Sequence, residues 1–110
     1  MDSIFVYILT IKTAQGTEVQ VISADLYDYM QEQIGKNLSY EIPEHLINLH
    51  SKVPCAKNIN KNVVLNEGTE QKDTWKHILG CSRNFKTENE AYKSLGNMTE
   101  YAGEIDVYLE

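Results

Sequence analysis

The chain has 110 residues, 42% of them hydrophobic and 24% charged, with two prolines, two cysteines and a net charge of −6. That length supports one domain with its own core, and the composition excludes a disordered chain and a disulfide-dense scaffold. The most apolar run, Ile4 to Ile11, is far too short to span a membrane and follows Asp2 rather than a basic segment, so the expectation is a cytoplasmic protein with no membrane partner.

The first predicted unit is a hairpin. Ile4 to Lys12 is almost continuously apolar and β-branched or aromatic, as a strand covered on both faces should be. Thr13 to Gly16 forms the turn, with glycine where a positive φ is needed, and Thr17 to Ile22 alternates with Val19 and Val21 inward. A helix follows, with Ser23 as N-cap, Asp25 in its first turn, Leu26, Tyr29, Met30 and Ile34 at helical spacing, and Gly35 at its stop.

The middle is less regular. Leu38 to Ile42 reads as a short extended piece, and Pro43 opens a helix that buries Leu46, Ile47 and His50 or Leu49. The stretch HSKVPCAKNINKN, residues 50–62, holds three lysines and no carboxylate and reads as a surface loop before a short strand around Val63 to Leu65. Thr74 to Ser82 fits two patterns. Trp75, Ile78 and Leu79 suit a helix, while Trp75, His77, Leu79 and Cys81 suit one face of a strand. The strand is preferred because it leads directly into the next helix. That helix opens with the capping box Thr87-Glu-Asn-Glu90 and buries Ala91, Tyr92 and Leu95. In the last strand, Tyr101, Gly103, Ile105, Val107 and Leu109 alternate against Ala102, Glu104, Asp106 and Tyr108. The fold class is α+β in a single domain, residues 1–110. It runs hairpin, helix, irregular middle and strand–helix–strand, with the helices on a sheet of four or five strands and the terminal strands as neighbours.

No catalytic or cofactor motif stands out. His50, Cys55, His77 and Cys81 make a ligand set suited to tetrahedral zinc, but the spacing lacks the short Cys-x2-Cys that anchors such sites. On a strand, His77 and Cys81 would also lie about 13 Å apart. The expectation is therefore no metal, no cofactor and no catalytic residue, with buried cysteines as small hydrophobes.

Charge is more informative. Residues 1–50 carry −5, residues 51–86 carry +4 and residues 87–110 carry −5. The basic middle lacks interleaved aromatics and the whole chain is acidic, so direct nucleic-acid binding is not expected. Asp25, Asp28 and Glu32 form one stripe on the first helix with Tyr27 beside it; Glu100, Glu104 and Asp106 add acids at the last strand. Tyrosine beside segregated acid suits a contact surface. The expected function is a small non-catalytic binding module that inhibits a larger partner with a basic or nucleic-acid-binding surface, such as a nuclease, a toxin or a host-defence complex. Nine lysines to one arginine, with ten isoleucines and nine asparagines, suit an AT-rich source such as a phage or mobile element. The alternative is a small-molecule or nucleotide binder, or small enzyme, using the basic middle with Cys81 and His77.

Overall fold

A computed structural model describes residues 3–36, 39–53, 55–65, 71–96 and 99–109, the side chains of 71–74 excepted. In chain order the elements are β1 (Ile4–Thr13), β2 (Gly16–Ser23), α1 (Ala24–Gly35), β3 (Tyr40–Glu41), α2 (Glu44–Ser51), β4 (Asn62–Val63), α3 (Gln71–Leu79), α4 (Glu88–Ser94) and β5 (Thr99–Tyr108). The class is α+β. The five strands among the described residues do not form the expected single sheet of four or five but divide into a sheet of three, ordered β2-β1-β5, and a separate pair of β3 with β4. β1 is antiparallel to β2 and parallel to β5, so the terminal strands are neighbours in one mixed sheet.

β1 is central, and its sequence explains why. Leu9 and Ile11 face one core with Ile22, Leu26, Met30, Ile42, Ile78 and Val107. Ile4, Val6 and Ile8 face a second core with Val19, Val21, Val53, Cys55 and Ala91. A strand buried on both faces needs apolar residues at nearly every position, which is the composition of Ile4 to Ile11. α1 and α3 cover the first face; α4 and the segment around Val53 and Cys55 cover the second. Gly16 takes a φ of 133° in the hairpin turn, a conformation that L side chains rarely adopt.

Several local expectations are corrected. Gln71–Leu79 is a helix, not a strand. Helical spacing turns Ile78, fully buried, inward together with Trp75 and Leu79 and leaves His77 exposed. Lys76 and His77 then lie in the last turn, where cations complement the helix dipole. Ser23 occupies the N-cap position of α1, but its side chain accepts no capping bond. α1 ends on Lys36 in the right-handed region, with its amide held by Glu32 and Gln33 carbonyls at 3.2 Å, rather than on a left-handed glycine. The basic segment is tied down. Lys57 and Arg83 amides donate to the Cys81 and Cys55 carbonyls, each at 2.9 Å, around an isolated bridge between Ala56 and Ser82. The capping box of α4 forms as expected: the Glu90 amide donates to Thr87 Oγ1 at 3.2 Å, while Glu90 Oε2 accepts the Lys86 amide at 3.2 Å.

The two edges of the main sheet differ. On β2, Val19 exchanges both backbone bonds with Phe85, at 2.9 and 2.7 Å. The Val21 carbonyl accepts from Cys55 Sγ at 3.9 Å, and the Ser23 amide donates to His50 Nδ1 at 3.3 Å. β5 pairs only with β1 among the described residues. Among the described residues one edge is covered and the other is open.

Candidate functional site

The expected contact residues lie on two different faces. In a parallel pair, residues in register share a face, because side chains alternate along both strands. Glu104, Asp106 and Tyr108 register with Ile8, Thr10 and Lys12, and therefore stand on the α4 side of the sheet. Glu100 registers with Phe5, on the side of α1. The helix stripe of Asp25, Asp28 and Glu32 is exposed on that α1 side.

The simple alternation expected for β5 is broken. Val6 registers with Tyr101 and Tyr7 with Gly103, so Ala102 is the extra residue of a bulge. The bulge shifts the phase and puts Tyr101 on the same face as Glu104 and Asp106, not opposite them. Tyr7 packs over Gly103, where an added Cβ would sit 3.7 Å from the tyrosine ring.

On the α4 side, Thr10 Oγ1 donates to Glu104 Oε1 at 2.7 Å and lies 3.5 Å from Glu88 Oε1. The Thr10 hydroxyl, and then Glu88, hold the Glu104 carboxyl below its ordinary range; the bond to Glu104 and its charge push Glu88 up. Glu88 is thus the member of the pair that takes up a proton first as pH falls. Asp106 lies 4.0 Å from Lys12 Nζ, which sits 5.0 Å from the centroid of the Tyr108 ring. Tyr92 and Tyr101 pack at a tilt, with centroids 5.6 Å apart. Tyr92, Tyr101 and Tyr108 are all exposed, Tyr108 by 66%. Three acids and three exposed tyrosines therefore share one surface beside the open edge. Tyr92, expected on the buried side of its helix, is exposed instead, and Glu88, Tyr101 and Tyr108 were not expected at a contact surface. The bulge hid the shared face of Tyr101.

Two acids of the α1 stripe also have partners within the chain. The Tyr7 hydroxyl donates to both Asp28 oxygens, at 3.2 and 3.3 Å, and Glu32 pairs with Lys36 at 3.2 Å. Tyr27 is half-buried, edge-on to Tyr7 at 5.3 Å and tilted against Trp75 at 6.3 Å. Burial, then the Asp28 charge, raises its hydroxyl pKa. Tyr27 is mainly packing at the edge of the first core. Glu100 accepts from Ser3 Oγ at 3.0 Å.

The histidines and cysteines are placed separately. His50 is fully buried; its Nδ1 accepts the Ser23 amide and its Nε2 donates to the Cys81 carbonyl at 2.8 Å, which fixes a neutral tautomer. Burial lowers its pKa. Cys81 Sγ donates to the His77 carbonyl at 3.3 Å, and burial pushes its thiol up to about 12. Burial likewise raises Cys55. A protonated thiol is a poor nucleophile and a poor ligand. Among the described residues no three His, Cys, Asp or Glu side chains converge as a metal cluster. A cavity of about 210 Å³ does lie between Ile42, Ile59, Val63, Lys76, His77 and Cys81, where the basic segment meets α3.

No helix among the described residues is long and apolar enough to cross a membrane. No family model, curated protein or solved structure matches this chain.

Proposed function

We propose that this protein is a small, non-catalytic binding module that acts in the cytoplasm by occupying a basic surface of a larger protein. The physical type is that of an inhibitor or immunity protein directed at a nuclease, a toxin or a defence complex, as a phage or mobile element would carry. The observation that carries the reading is the surface of Glu88, Glu104 and Asp106 with exposed Tyr92, Tyr101 and Tyr108 along an uncovered sheet edge. Carboxylates there take the places that phosphates take on a nucleic-acid-binding partner, and tyrosines supply rigid contact area at little entropic cost. The buried, protonated thiols and the structurally committed His50 argue against catalysis.

The test is to isolate a stoichiometric partner from a low-GC host and titrate it with the purified chain. Glu104→Lys with Asp106→Lys should weaken the complex at least tenfold at low salt and less at high salt, where exposed charges are screened beyond about 8 Å. Unchanged affinity would remove this surface from the account.

The second reading, a small-molecule site at Cys81 and His77, draws support from the cavity between the basic segment and α3. At about 210 Å³ it is smaller than the usual 300–1,000 Å³ of a ligand pocket, which favours a small ligand over a nucleotide. A thermal-shift screen with small neutral and anionic ligands tests this reading; a saturable rise in midpoint that His77→Ala abolishes would favour it.

A further inference from the structure

The backbone of β5 carries a finer statement than its charge. The Leu109 amide donates to the Lys12 carbonyl at 3.0 Å, so Leu109 turns its polar groups toward β1. Backbone groups alternate sides along a strand, and the register runs unbroken from Gly103 to Tyr108. Ile105 and Val107 therefore also face β1. Glu104, Asp106 and Tyr108 point their N–H and C=O groups outward, and no described residue bonds to them. At the opposite edge both outward groups of Val19 bond to Phe85, the Val21 carbonyl accepts from Cys55 Sγ, and the Ser23 amide donates to His50.

We infer that β5 is a docking edge onto which an extended segment of a partner protein, bearing lysine or arginine at alternate positions, adds as a further strand. This rests on the reading of the protein as an acidic binding module and names its mode of contact. Main-chain bonds to the outward groups would supply the register-setting part of the affinity. Side chains of an added strand stand about 5 Å from those of β5, so alternate cations would face Glu104 and Asp106. The Tyr108 ring already holds a lysine ammonium from this chain over its face. A second copy is a poor occupant. Antiparallel self-pairing about Ile105 puts Glu104 opposite Asp106 twice, and pairing about Asp106 sets that residue against itself; like charges directly opposite are unfavourable. Acids and a bulge are also how sheets guard an edge against aggregation. Here that guard turns away acidic and identical strands and leaves basic ones. The bulge at Ala102 limits the usable edge to residues 104–108.

The probe is a synthetic peptide of about eight residues alternating lysine and threonine, with glutamate replacing lysine in the control, read by NMR on the full chain. With the lysine peptide near saturation, the amides of Glu104, Asp106 and Tyr108 should exchange at least tenfold more slowly, and the control should have no effect. Asp106→Pro and Asp106→Asn separate backbone from charge. Both remove the carboxylate and its contact with Lys12, but only proline removes the outward N–H, and neither removes a backbone bond to β1. Proline should weaken the lysine peptide at least tenfold more than asparagine does. Equal weakening by both, with exchange at 104, 106 and 108 unchanged by peptide, overturns strand addition while leaving the acidic surface in place. Equal binding of the lysine and glutamate peptides overturns both. Protection of the three amides in a peptide-free dimer overturns it in favour of self-pairing. If Asp106→Pro does not fold, the exchange data on the unmodified chain decide.

Discussion

His50 shows how one side chain can be committed to structure. Its two ring nitrogens satisfy the Ser23 amide and the Cys81 carbonyl, joining the end of β2 to the segment that follows α3. Both partners lie in buried residues or segments, so removing the ring strands two backbone groups. At 1–3 kcal/mol for each unsatisfied buried group, His50→Leu should cost roughly 3 kcal/mol, measured by urea unfolding. A loss under about 1 kcal/mol would mean that water replaces the ring. The pH dependence has a definite sign. The folded pKa lies below the ordinary value of 6.5, so the contribution is fully present above about pH 6.5. It is lost as pH falls toward the folded pKa, because the unfolded chain binds the proton more readily. Between about pH 6.5 and 5, before most carboxylates titrate, the native chain should lose stability and His50→Gln should not. Parallel pH curves for the two would contradict the tautomer assigned to His50.

At the scale of elements, the start of α4 makes the simplest test. Thr87 accepts the Glu90 amide, so Thr87→Ala should cost about 1 kcal/mol by thermal or urea unfolding. An unchanged midpoint would place the helix start elsewhere. This cap was legible because its signal is local, four residues with a fixed spacing. The doubly buried β1 and the hairpin turn at Gly16 were legible for the same reason. α3 was not, since Trp75, Leu79 and the intervening residues satisfy both periods, and only the buried contacts of Ile78 choose the helix. The bulge at Ala102 left no mark in composition, yet it decides which face Tyr101 occupies. The cover of β2 was equally hidden, because Phe85, Cys55 and His50 reach it from 27 to 66 residues away in sequence.

Across the whole molecule, the candidate surface was half legible. The acids of α1 and β5 stood out by charge, but their division between two sheet faces depends on register. Reversal of Asp25, Asp28 and Glu32 to lysine should leave the fold intact, since Leu26 and Met30 still fill the first core. It should weaken partner binding less than reversal of Glu104 and Asp106, because those two acids lie on β5, whose outer edge pairs with no strand among the described residues. The reverse order of effect would move the interface to α1. The central claim is that the sheet has one covered edge and one open, acid-lined edge. Residue-resolved amide hydrogen exchange on the free chain tests it most directly. Val19 and Ser23 should exchange slowly on β2, and Ile105 and Val107 slowly on β5, with Glu104, Asp106 and Tyr108 between and beside them exchanging close to the unstructured rate. Slow exchange at those three positions, matching their neighbours, would mean that the edge is covered and would contradict the account.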